Sequence, residues 1–242
     1  MGIADWFGTQ STIVTRQEFD ALIRDELAPK LRSLGYAGSG RTFRRLLPDS
    51  FFTWVVNIQS NRWNAAYTGE QYMYFVNLGI VVDAEAARSA GQVAKLKRVS
   101  EPESAFRTRL DPPDRDLDWK ATTETVTKQQ LATIAVRIGS GDGLAWFERA
   151  SSWDAYQNVT REDLEQFAQT PVPESVQWLW ERFGHFTPTA LVLVIARFHY
   201  QQGYLPEARR WASWALDFYR PFLRPNVHPV PALKQLAAGK LA

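Results

Sequence analysis

The sequence predicts an α+β chain: an N-terminal antiparallel sheet packed by a capped helix, followed by an all-helical C-terminal part. Three observations predict it. Residues 51–59 and 72–82 alternate apolar and polar residues, the period of a half-buried strand. The links between strand-like runs are too short for a parallel crossover, so the pairing should be antiparallel. From residue 127 the apolar spacing changes to about 3.6 residues, the period of a helix. The expected organisation is a flexible arm over residues 1–14, an α+β domain over 15–138 and a helical region over 139–242.

The first helix announces itself at Thr15 and Glu18, a T-x-x-E capping box. Phe19, Leu22, Ile23, Leu27, Leu31 and Leu34 then form one apolar stripe. Pro29 lacks a backbone donor and should kink or split this helix, and Gly35 is placed to end it. Residues 41–47 read as a short basic strand. In residues 51–59, Phe52, Trp54, Val56 and Ile58 share one face, and Thr53, Asn57 and Gln59 the other. In residues 72–82, Tyr72, Tyr74, Val76, Leu78, Ile80 and Val82 share a face, with Asn77 and Gly79 opposite. The helix should cover the apolar side. Residues 83–99 read as a short helix or lid, and Ser100 to Glu103 as a box capping a brief helix through Phe106 and Arg107. Asp111 to Asp116 is a loop, and Trp119 to Val126 a closing strand.

Beyond this, Thr127 and Gln130 should cap a helix with Leu131, Ile134, Ala135 and Ile138, ended by Gly139. Asp142, then Thr160 with Asp163, then Pro173 each open a further helix, the last stopping at Gly184. Thr187 followed by Pro188 is an N-cap with a first-turn proline, and that helix should run to about Gln202. Gly203 is a turn, Pro206 begins a partner helix, and the proline-rich residues 221–231 should be extended.

The 242 residues are 45% hydrophobic and 22% charged, enough to bury a sizeable core and unlike a disordered chain. The longest apolar run, Ala190 to Ala196, falls short of the roughly 18 residues a membrane span requires. There is no Cys, and no leader pattern follows Met1, so a cytoplasmic protein without disulfides is expected. The formal net charge is only +2, without the basic stripe of a nucleic-acid binder.

The chain carries, in order, a capped helix, Leu34-Gly35-Tyr36, Arg41 to Arg45, Val56 to Gln59, Phe75 to Ile80, Phe106 to Leu110 and Asp118-Trp119. This order and spacing resemble the bacterial domain-of-unknown-function family 4304 over about residues 15–138. The resemblance brings no established activity; by setting, some members resemble immunity proteins that neutralise toxins. Residues 188–220 resemble one degenerate tetratricopeptide hairpin, with Gly203, Ala208, Ala215 and Leu216 as its small and apolar contacts and no second copy.

No catalytic set assembles from the sequence. Gly35, Gly40, Arg41 and Thr42 nearly spell a phosphate-binding loop, but the lysine is missing and a helix precedes where a strand should. Gly139, Gly141 and Gly143 follow a helix, unlike a dinucleotide fingerprint. His185, His199 and His228 lack metal-ligand spacing, so neither metal nor cofactor is expected. The candidate surface is the second face of the sheet. Asn57, Gln59 and Asn77 lie on it, with Arg41, Arg44, Arg107 and Arg109 around it and Trp63 in a nearby loop. Such a face suits a non-enzymatic protein that binds another protein, in an immunity-like or scaffold role. The alternative is an enzyme that grips a phosphorylated or anionic substrate with these arginines and moves a proton with His185 or His199.

Overall fold

The computed structural model describes residues 14–48, 50–61, 64, 72–82, 104–114, 116, 118–223 and 229–240. Residues 1–13 of the arm expected over 1–14, the segment 83–99 with the Ser100 to Glu103 box, and Arg62, Trp63 and His228 lie outside these residues. Val14 is not part of a loose arm: it is buried, and its N–H donates to the Thr122 carbonyl.

The fold is α+β. Among the described residues, seven strands form one sheet in the order β1-β2-β3-β4-β5-β7, with β6 paired to β4. The strands are β1 (Ala37–Ser39), β2 (Thr42–Leu46), β3 (Phe52–Ser60), β4 (Tyr72–Val82), β5 (Phe106–Arg109), β6 (Trp119–Ala121) and β7 (His185–Phe186). The residues divide into two compact units that are not consecutive in sequence. One comprises Met1–Arg45, Val56–Asn77 and Arg109–Leu144, and the other Leu46–Val55, Leu78–Thr108 and Ala145–Ala242. The long strands β3 and β4 therefore contribute one end to each unit.

In the first unit helices cover one sheet face. Helix α1 (Arg16–Leu22) starts at the Thr15–Glu18 capping box. A π turn (Ile23–Leu27) links it to α2 (Ala28–Ser33). The chain does not break at Pro29. Its ring would crowd the carbonyl four residues earlier, and the turn before it widens, so that the Ala28 N–H reaches the Ile23 carbonyl. Phe19 packs on Tyr72 and Tyr74, with ring centroids 5.0 and 4.6 Å away. Helix α3 (Glu124–Ser140) packs alongside and buries Leu131, Ile134 and Ile138. Its N-cap is Thr123, whose hydroxyl accepts from the Val126 N–H. Thr127, expected as the cap, is instead a fully buried residue inside the helix. The strand expected over 119–126 accordingly shrinks to β6. Gly139 does not end the helix; a Cβ there would press on both Leu34 methyls, so its role is close packing. Gly38, in the β1–β2 hairpin, has φ +153 and no room for a Cβ beside the Thr42 carbonyl. This hairpin, not a phosphate cradle, explains the glycines before Arg41.

The second unit is built around helix α7 (Pro188–Gln201), whose residues Leu191 to Ala196 are all buried. Helix α4 (Asp142–Ala150) presents Phe147 to Trp54, stacked at 4.8 Å, and Trp54 Nε1 donates to Ser151 Oγ at 2.8 Å. Helix α5 (Arg161–Phe167) starts at the Thr160–Asp163 box. Helix α6 (Trp178–Phe183) ends at Gly184, with φ +72. There the chain enters β7, so the C-terminal part carries one two-residue strand among its helices. Phe106, Tyr156, Phe183 and Phe186 pack together between these elements. Helix α8 (Leu205–Phe218) folds back on α7 across Gly203 to make the expected hairpin. Helix α9 (Val230–Ala237) then packs on α8. It corrects the extended tail: Pro231 sits in a first helical turn, where a missing N–H costs nothing, and Val230, Leu233 and Leu236 are buried. A second correction concerns Phe106 and Arg107. They belong to strand β5, not a capped helix; Ala105 and Leu110 at its ends donate to the Ile80 and Val76 carbonyls of β4.

Candidate functional site

Among the described residues, no helix of the first unit packs on its other sheet face, which is assembled by cross-strand side-chain contacts. Asn57 on β3 donates from Nδ2 to Thr42 Oγ1 on β2 at 2.9 Å, so Thr42 and Arg44 share its side. Asn77 on β4 donates from Nδ2 to Gln59 Oε1 at 2.8 Å. Arg109, at the end of β5, lies over the Phe75 ring of β4, its guanidinium carbon 4.1 Å from the centroid. Lys120 on β6 is the register partner of Met73 and therefore joins the same side. The described side chains on this face thus include Thr42, Arg44, Asn57, Gln59, Met73, Phe75, Asn77, Arg109 and Lys120, with Ala37 and Ser39 of β1 opposite Arg44 and Thr42.

Exposure grades across this face. Gln59 and Arg109 are exposed; Thr42, Arg44, Asn57, Met73, Phe75 and Lys120 are half-buried. Asn77 is buried, and its amide is committed to Gln59. With Gln59 Oε1 accepting that bond, the Gln59 amide nitrogen is left as a donor at the surface. Asparagine and glutamine therefore brace the face, and the arginine, lysine and outer amide present donors from it.

Lys120 is held by Asp116, Nζ to Oδ2 2.6 Å, and this hydrogen bond raises its pKa. Asp118 accepts from the Asn61 amide. The end of the acidic loop expected at 111–116, and Asp118 after it, are thus held by neighbouring side chains. Among the described residues, no group of His, Cys, Asp or Glu is arranged to hold a metal ion.

Arg41 is placed on the other side. Its Nε donates to Asp20 of α1 at 2.6 Å, its Nη2 to the Tyr72 hydroxyl at 2.9 Å, and its Nη1 to Ser60. It stands over the rings of Phe19 and Tyr72 on the helix-covered face. This arginine fastens α1 to the sheet and is not grouped with Asn57 and Asn77. Arg107 belongs to the second unit, where it is exposed opposite His185 of β7. His199 lies in α7 against the edge of Trp153, and burial lowers its pKa.

Sequence reasoning missed Phe75, Met73 and Lys120. The signal for the first two was present: they stand two and four residues before Asn77, and so on its side of the strand. Lys120 needed the β4–β6 register, which the sequence does not give.

A family model described as "Domain of unknown function (DUF4304)" matches residues 27–149. The chain belongs to this family. The DUF4304 match starts at Leu27 in the π turn and runs almost to the end of α4, so it contains every residue of the face just described. Helix α1 and everything from α5 onward lie outside it. No curated protein and no solved structure matches the chain. No described helix is long and apolar enough to cross a membrane.

Proposed function

We propose that the protein is a non-enzymatic binding protein that engages another protein in the cytoplasm of a bacterium, in an immunity-like or scaffold role. It docks through the uncovered sheet face of the first unit. The observation that carries this reading is the Arg109–Phe75 stack beside the Asn77–Gln59 bond. An arginine and an aromatic held ready at the surface lose little freedom on docking, and such residues dominate protein interfaces. A photo-crosslinking residue in place of Gln59, compared with one in place of Arg210 on α8, tests it. One discrete adduct found at residue 59 and missing at residue 210 is the expected outcome. The same background at both positions rejects the reading.

A second reading has one observation in its favour. The β5–β7 register sets Arg107 opposite His185, both exposed, which would suit an enzyme acting on a phosphorylated or anionic substrate. Turnover of an aryl phosphate by the full chain that His185→Ala abolishes would support it; absence of turnover removes it.

A further inference from the structure

Resting on the docking face proposed above, we infer that its occupant is an acidic segment of a partner protein, laid down in extended conformation with carboxylates at alternate positions. The charge of the face argues this. Among the described residues, the charged side chains that its strands contribute are Arg44, Arg109 and Lys120, with Asp116 bonded to Lys120 at one edge. Gln59 adds an outward amide donor, since its oxygen is occupied by Asn77. A donor-rich surface selects acceptors, and carboxylates are the acceptors a protein can offer with charge.

The spacing argues the rest. Lys120 stands beside Met73, and the Arg109 guanidinium sits over Phe75. Met73 and Phe75 are two residues apart on one strand, about 6.6–6.8 Å. Side chains i and i+2 of an extended segment have the same separation, so two alternate carboxylates running along β4 would meet Lys120 and Arg109 in turn. Phe75 and Met73 between them give apolar support to the methylene stems. Asp116 already contacts Lys120, and Asp114 and Asp118 act on it more weakly, but the pair is exposed, and such pairs contribute little and yield to an incoming carboxylate. Nucleic acid is the less fitting occupant. Among the described residues the face offers one aromatic, Phe75, and the chain is near neutral, whereas single strands are held by several stacking rings in a strongly basic groove.

The test uses the full chain and three probes: a peptide alternating glutamate and threonine, a peptide of the same composition with its glutamates in one block, and a mixed-sequence single-stranded DNA. The alternating peptide should bind tightest. Arg109→Glu combined with Lys120→Glu should weaken it at least about tenfold, by charge reversal at two contacts. Asp116→Asn, which frees Lys120, should tighten it, and Arg210→Glu on α8 should leave it unchanged. Circular dichroism of each variant separates lost binding from lost folding. Equal binding of the blocked peptide, tighter binding of the DNA, or indifference to both face substitutions overturns the inference. A crosslinked partner at residue 59 that lacks an acidic segment would overturn it too, while leaving the docking reading intact.

Discussion

Strands β3 and β4 each pass through two different environments. In β3, Phe52, Thr53, Trp54 and Val55 are all buried, whereas Asn57 is half-buried and Gln59 exposed. In β4 the order is reversed. Met73 and Phe75 alternate with buried neighbours, and from Val76 to Val82 every residue is buried. Among the described residues, the ends in the first unit keep half-buried or exposed side chains on one side up to Asn77, whereas the ends in the second are buried on both. An antiparallel strand can therefore change from one-sided to two-sided burial within its own length, and its chemistry changes with it. Where both sides are buried, packing sets the tolerance to substitution. Where one side is open, side chains such as Gln59 and Arg109 are available for recognition.

The sharpest way to break this comparison is to place a carboxylate at each end of one face. Val55→Asp buries an unpaired charge and should cost about 4 kcal/mol or more, whereas Gln59→Glu, two turns of the pleat further on, should stay within about 0.5 kcal/mol. Urea denaturation of the two variants measures it; similar costs would show that the face is covered throughout. Next in size are the aromatics. Trp54→Ala loses the Phe147 stack and the Ser151 bond and should cost about 3–5 kcal/mol. Phe75→Ala loses a half-buried ring under Arg109 and should cost about 1 kcal/mol.

Caps should ignore the difference between the regions, because they act locally. Thr15→Ala and Thr160→Ala each remove a capping box, and each should cost about 1 kcal/mol. Unequal costs in thermal unfolding would show that one helix depends on more than its own cap.

Acid should touch the two units at different pH, with the smallest effects. In the second unit, burial lowers the pKa of His199 from its ordinary 6.5, so the unfolded chain binds the proton more readily. That contribution is intact above about 6.5 and is lost as the pH falls below it. His199→Gln should flatten the slope there. In the first unit, the hydrogen bond from Arg137 lowers the pKa of Asp142 from its ordinary 3.8. Its contribution is present above 3.8 and is lost only as the pH falls below it, and Asp142→Asn should remove that acid limb. Denaturation midpoints across pH 3 to 8 would check both windows.

Local signals were readable from sequence where the physics is local. The Thr15–Glu18 and Thr160–Asp163 boxes, Pro188 after Thr187, and the stops at Gly184 and Gly203 all stand where expected. The errors have a common source. Phe106 and Arg107 follow a helix-capping pattern, yet pairing with β4 and β7 makes them part of strand β5. Residues 229–231 contain prolines that read as breakers, but burial against α8 draws them into a helix start. Arg41 reads as one more cation around the sheet, and its contact with Asp20 on α1 turns it to the covered side. Each outcome depends on a partner distant in sequence.

By itself the sequence determined the α+β class, the helix starts and stops, and the alternation that gives the sheet two unlike faces. Only the tertiary structure decided how far along β3 and β4 the second face stays open, and that Phe75, Arg109 and Lys120 gather there with Asn57, Gln59 and Asn77. Capping and alternation are settled by neighbours a few residues away, whereas burial of a face and cross-strand register are settled by segments that the fold alone brings together.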